Sequence, residues 1–168
     1  MKNRNGFSLM ELMIVIAILG IISAISVPNI ISWRNNAQVN AAARDLYSNI
    51  QLAKSTAVKE NMNCTVAFNE SADDGAVYDY VVFLENPVSA DLAYDAGETV
   101  LKKINFDRYG AVQLTGTTFT PSSAVTFRSD GLPVDAGGGL GGGSVSLTGA
   151  IDKTIQITNA GSVQVISG

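Results

Sequence analysis

Between Arg4 and Arg34 the chain carries one charged side chain, Glu11. From Leu12 to Trp33 there is none, and the run from Phe7 to Ile31 is dominated by Ile, Leu, Met, Val and Ala. A helix rises about 1.5 Å per residue, so roughly 20 apolar residues cross the hydrocarbon core of a bilayer. The segment is long enough to span. Lys2 and Arg4 precede it without any acid and are expected to stay on the cytoplasmic side, sending the C-terminal bulk across the membrane.

Three readings compete for this segment. The first is a secretory signal with Ala24-Ile25-Ser26 as a small-x-small cleavage site, so that a secreted, soluble β-rich binding domain would start at Val27. The second is a plain membrane anchor for the same domain. The third is a leader cut before the apolar stretch rather than after it. Glu11 separates them. An acid inside a membrane helix costs on the order of 2.5–3.5 kcal/mol on insertion scales, so it calls for a partner or a function. A signal peptide or simple anchor gains nothing from it. Cleavage after Gly6 would create an α-amino group at Phe7, able to offset the carboxylate of a neighbouring subunit when helices bundle.

Gly6-Phe7-Ser8-Leu9-Met10-Glu11, followed by some twenty apolar residues and Pro28, resembles the N-terminus of type IV pilins and type II secretion pseudopilins. The resemblance implies cleavage between Gly6 and Phe7 by a prepilin peptidase, N-methylation of Phe7, and a role for Glu11 in subunit assembly. It also implies the bilayer of the bacterial inner membrane, an inner-membrane assembly platform and other pilin or pseudopilin subunits as partners. The head would lie in the periplasm before entering a pilus or pseudopilus filament.

Gly20 and Pro28 lie within the apolar run. Proline removes a helical hydrogen bond and crowds the preceding turn, so a kink or local unwinding is expected near Ala24 to Pro28. Trp33 stands where an interfacial aromatic anchor would, with packing between subunits an equal alternative. Beyond Pro28 the helical pattern continues: Val39, Ala42, Leu46, Ile50, Ala53 and Ala57 recur at steps of three and four and share one face. Asn61-Met62-Asn63 is the expected stop.

From Cys64 the period becomes twofold. Cys64, Val66 and Phe68 alternate with Thr65 and Ala67, as in a strand with one buried face. Tyr78 to Leu84 suits a central strand. Further strands are expected at Val100–Phe106, Ala111–Leu114, Val125–Arg128, Ser144–Leu147, Thr154–Thr158 and Ser162–Ile166, with Asn159-Ala160-Gly161 as a hairpin turn. Strands following one helix make the class α+β: a long N-terminal helix packed on an antiparallel β head. The expected division is a leader at 1–6, a transmembrane or filament-core helix at 7–33, an amphipathic helix at 34–62 and a β-rich head at 63–168.

The head is also similar to H-type pseudopilins and FimT/FimU-type minor pilins, the GspH/FimT family. The likeness rests on Arg44 to Ala57, on Asp95-Ala96-Gly97-Glu98 before Val100-Leu101-Lys102, on Val125 to Pro133, and on Ile155 to Val165. It implies a structural subunit of a type IV pilus or a type II secretion pseudopilus, and favours a minor, priming role.

Composition closes other routes. There is no histidine and one cysteine, Cys64, which excludes Ser-His-Asp or Cys-His nucleophiles, histidine metal sites, CxxC redox centres and an internal disulfide. No enzyme activity and no cofactor are expected. Glu60 to Leu101 contains nine acids and no Lys or Arg, which raises calcium at Asp91, Asp95 and Glu98. The spacing matches no EF-hand loop, and solvated acidic loops are the favoured reading. Ala136 to Gly143, six of whose eight residues are glycine, lacks the Lys-Ser/Thr of a phosphate loop and reads as a flexible connection. Cys64 opens a strand on its buried face and reads as a packed thiol. FimT-like relatives raise DNA as a partner. No Lys or Arg follows Lys153, however, and removing Lys2 and Arg4 leaves 9 basic against 15 acidic residues, net −6, so nucleic acid is not expected.

Overall fold

The computed structural model describes residues 8–86, 94–119, 123–135 and 138–167. Helix α1 (Leu9–Glu60) comprises 52 residues and is followed, among the described residues, by nine strands. The chain forms two units, 1–35 and 36–168.

In the first unit every side chain from Leu9 to Trp33 except the half-buried Ser26 is exposed. An 18-residue window here has a mean hydropathy of 2.5, long and apolar enough to cross a membrane. The helix runs without a break through Gly20 and Pro28. Pro28 lacks an N–H, so the Ala24 carbonyl receives no i+4 helical bond. Ser26 Oγ donates to the Ile22 carbonyl at 2.9 Å, a bond that competes with the backbone ladder in the same turn.

In the second unit the helix buries Val39, Ala42, Ala43, Leu46, Asn49, Ile50, Ala53 and Ala57, the face the spacing of three and four defines, with Asn49 in its midst. It ends on a left-handed residue. Asn61 has φ 54°, and the Met62 N–H reaches back to the Ala57 carbonyl at 3.2 Å, the six-to-one bond of a Schellman cap.

Two antiparallel sheets follow. One has the order β3-β2-β1-β5-β6, from β1 (Cys64–Ser71), β2 (Val77–Leu84), β3 (Thr99–Ile104), β5 (Ala124–Phe127) and β6 (Pro133–Val134). The other has the order β4-β7-β8-β9, from β4 (Gln113–Thr117), β7 (Gly143–Thr148), β8 (Lys153–Ile157) and β9 (Val163–Ser167). One core joins the helix face to both sheets: Leu46 and Ile50 share it with Phe68, Tyr80, Phe127, Leu147 and Ile155. The fold is α+β, as the order of periodicities requires.

Three local expectations need correction. Cys64 to Phe68 is buried on both faces rather than one. Strand β1 lies in the middle of its sheet, and a second cluster of Ala67, Val81, Phe83 and Ala124 covers the far side under Tyr94, whose ring meets Phe83 edge-on at 5.3 Å. The strand expected to reach Phe106 stops at Ile104. Phe106–Tyr109 forms a 3-10 turn capped by Asn105, whose side chain accepts from the Asp107 N–H at 3.3 Å. The two-residue β6 carries too short a pattern to be read from sequence. Gly141, Gly142 and Gly143 of the 136–143 run are packed rather than a loose connection, whereas Gly138 is open. A Cβ on Gly141 would stand 2.6 Å from the Asp135 nitrogen, and one on Gly143 would stand 2.3 Å from the Phe119 ring. Gly141 N–H also donates to the Pro133 carbonyl at 3.0 Å. Glycine is there for close approach of backbone to backbone and ring.

Candidate assembly site

Helix α1 begins beside Ser8, whose carbonyl already accepts from the Leu12 N–H at 3.1 Å. Ser8 therefore occupies the N-cap position and Glu11 the third helical position, the spacing of a capping box. A carboxylate in the first turn faces the positive end of the helix dipole, which favours helix initiation here. Glu11 is exposed, as are its apolar neighbours Leu9, Met10, Leu12 and Met13. Gly6 and Phe7 lie outside the described residues. Gly20 sits on open helix surface, where an added Cβ would meet nothing within 4 Å, so the packing of this chain alone does not require glycine there. Trp33 is 73% exposed at the end of the run.

Such a surface is unsuited to water. Burying one Leu, Ile or Val side chain stabilises by about 1.5–3 kcal/mol. A contiguous apolar surface of this extent marks a membrane or interaction segment. One carboxylate on the otherwise uncharged stretch from Leu9 to Trp33 is then the chemical handle of the segment. It can pair with a cation or accept hydrogen bonds.

The head carries its own polar ties, and the sequence pattern alone does not expose them. Asn49 Nδ2 donates to the Tyr80 hydroxyl at 2.8 Å, and that hydroxyl donates to Asp45 Oδ2 at 3.1 Å. Arg108 Nη2 reaches the same Asp45 oxygen at 2.5 Å. Burial, reinforced by the Asp45 charge, pushes the Tyr80 hydroxyl well above the ordinary tyrosine range, so it stays a neutral donor. The network fixes the helix to β2 and the 3-10 turn. Its one advance signal is an asparagine on an apolar helix face.

The acidic residues singled out as calcium ligands are arranged differently. Asp91 lies outside the described residues. Glu98 is 9% exposed; its Oε1 accepts from the Asn86 N–H at 2.9 Å and its Oε2 from the Asp95 N–H at 3.0 Å. Asp95 is exposed. Among the described residues no three His, Cys, Asp or Glu side chains gather as a metal site. Cys64 is buried, and burial, with the Glu85 carboxylate adding to it, pushes its thiol up to about 12. An open polar groove of about 360 Å³ runs past Asn69, Asp79 and Gln113. The Asp79 carboxylate accepts from the Phe106 N–H at 2.7 Å, which makes it part of the loop scaffold.

A long apolar helix whose second half packs on antiparallel sheets, with one acid at its start, defines a pilin-like subunit. The prokaryotic N-terminal methylation motif matches residues 1–27, and the family described as type II transport protein GspH matches residues 42–165. The chain belongs to the GspH family. It is similar to the type IV minor pilin FimU of Pseudomonas aeruginosa strain PAO1, with 17% identity, a TM-score of 0.55, and 78% of this chain and 90% of that one covered. It is also similar to the minor pseudopilin EpsH from the Type 2 Secretion System of Vibrio cholerae, with 11% identity, a TM-score of 0.50, and coverage of 77% and 97%. At these identities the structural likeness is one of fold. A search of curated proteins gives no match. Motif, family and fold together make the chain a membrane-anchored subunit of a pilus or pseudopilus, and this family and fold are structural rather than enzymatic.

Proposed function

We propose that the chain is a minor, non-enzymatic subunit of a type IV pilus or a type II secretion pseudopilus. It is made as an inner-membrane precursor with its head in the periplasm. Prepilin peptidase cuts between Gly6 and Phe7, and the new Phe7 amine is methylated. Glu11 of the incoming subunit pairs with that amine on a neighbour while the apolar helices bundle on the assembly platform. Gly20 and Pro28 loosen the helix as it leaves the bilayer. The observation that carries this reading is Glu11, the single charge on an exposed apolar helix surface.

A pair inside hydrocarbon is stronger than one at a surface, yet removing both groups from water is expensive. The contribution of the pair is therefore register rather than net stability. Glu11→Ala leaves membrane insertion intact and impairs incorporation into filaments. Mass spectrometry of the mature N-terminus tests the processing step. A methylated Phe7 supports the proposal, and a chain beginning at Val27 overturns it.

A further inference from the structure

Each sheet has two edges, and three of the four edge strands are blunted. Strand β3 carries Lys102 and Lys103 and slips register against β2 at Val82/Phe83. Strand β6 has two residues, and Leu140 already bridges to its Val134. Strand β4 slips register between Leu114 and Gly116. Lysines, short length and bulges are the ordinary devices that stop a sheet edge from recruiting another chain.

Strand β9 has none of them. Val163-Gln164-Val165-Ile166-Ser167 pairs with β8 in unbroken register from Ile157↔Val163 to Lys153↔Ser167. It contains no charge and no proline, and no charged side chain occurs from Thr154 to the end of the sequence. Among the described residues no strand lies on its outer side. The turn sets which backbone groups face outward. Thr158 N–H donates to the Ser162 carbonyl at 2.9 Å, so Thr158 and Ser162 are a hydrogen-bonded pair. Counting by twos, Gln164 and Ile166 bond to β8, while the N–H and C=O groups of Val163, Val165 and Ser167 point away from it.

We propose that β9 is a docking edge, completed by an extended strand from the head of a different subunit of the same filament; the inference rests on the filament reading above. Two side chains identify the occupant as a strand. Val165 and Ile166 lie on opposite faces of the sheet and are each 43% exposed. A body docked on one face covers only one of them. A strand added at the edge flanks both and satisfies the outward backbone groups as well. A second copy of this chain is not that occupant. Pairing β9 with β9 is a two-fold contact, whereas filament subunits meet head to tail, and the other edges of a second copy are the blunted ones.

The test uses the full chain in cells that assemble the filament, with the photo-crosslinker p-benzoylphenylalanine in place of Gln164, an exposed side chain on the strand. The expected product is an adduct with another subunit of the filament, mapped to an extended segment of its head. Val165→Pro removes an outward donor while leaving the ladder to β8 intact, and Ile166→Lys places a charge at the edge without touching the backbone. Val165→Pro is expected to lower the adduct by about tenfold, the equivalent of one lost backbone hydrogen bond, and Ile166→Lys by a similar factor through the cost of burying its charge. An adduct unchanged by both variants, a self-adduct, or an adduct with a protein outside the filament overturns the proposal. Membrane level and filament incorporation are measured in the same cells. Normal incorporation without any adduct overturns strand addition alone, whereas a chain never processed at Gly6 overturns the filament reading itself.

Discussion

Lys54, on the second half of α1, donates from Nζ to the carbonyl oxygen of Gly161 at 2.8 Å, tying the helix to the turn between β8 and β9 across 107 residues of sequence. Its half-buried stem also passes Gly131: a Cβ placed there would meet Lys54 Cε at 3.3 Å. The aliphatic part packs and the ammonium reaches a partner beyond. The turn that launches β9 is thereby held by the helix, and a lysine that looks like an ordinary solvated charge in the sequence is a cross-link of the fold.

Lys54→Met keeps the stem and removes the donor. The variant is expected to lose about 1.5–3 kcal/mol of stability, the range for a hydrogen bond to a charged group. Urea unfolding of the full chain in detergent measures the loss. Hydrogen exchange at the turn, where the Gly161 N–H donates to the Thr158 carbonyl at 2.8 Å, should rise more than exchange in β1.

Gly143→Ala tests whether the glycine-rich run is packed. The added methyl would stand 2.3 Å from the Phe119 ring, which stacks on Phe68 at 5.8 Å inside the core. Overpacking of this kind costs about 1–3 kcal/mol. Gly116→Ala is the control, since nothing lies within 4 Å of its added Cβ. It should be neutral or stabilising by up to about 1 kcal/mol, through the reduced freedom of the unfolded chain. Equal unfolding midpoints for the two variants would contradict the packed arrangement.

The contrast between these glycines shows what the sequence can and cannot express. The helix face from Val39 to Ala57 and the strands from Thr154 to Ile166 are legible, because burial on one face leaves a period in the residue order, and Tyr78 to Leu84, buried on both faces, is legible as a continuous β-prone run. Two-sided burial of Cys64 to Phe68 is not, because the second cover comes from Tyr94, which no local pattern links to this strand. Glycine in a run signals freedom and close approach with the same letter. Asn49, Lys54 and Arg108 find partners dozens of residues away, and no local pattern encodes that distance. Glu11 was visible for the opposite reason: its surroundings are so uniformly apolar that one carboxyl stands out.

Cys64 supplies a pH dependence. Its thiol moves from an ordinary value of 9.0 to about 12 in the fold, mainly through burial, with the Glu85 carboxylate adding to it. Above pH 9 the unfolded chain ionises this group while the folded chain keeps the proton. The stabilisation is fully present below 9 and is lost as pH rises toward 12. Folded protein at pH 9 should resist iodoacetamide and react once denatured. Cys64→Ala should flatten the part of the alkaline stability profile due to this group. Rapid alkylation of the native chain would show an accessible thiolate instead.

Glu98 decides between a loop anchor and a cation ligand. Both of its oxygens accept backbone N–H groups, from Asn86 and Asp95, and the residue is nearly buried. Glu98→Gln replaces one acceptor with an NH₂ group that faces another donor, leaving a buried polar clash worth about 1–3 kcal/mol. A ligand bound only by the folded state raises the unfolding midpoint with its concentration. With the carboxylate committed to the backbone, neither EDTA nor added calcium should move the midpoint of the wild-type chain, and the Glu98→Gln loss should be the same in both. A midpoint that climbs with calcium in the wild type and no longer does so in Glu98→Gln would make this carboxylate a ligand and require the loop to rearrange around it.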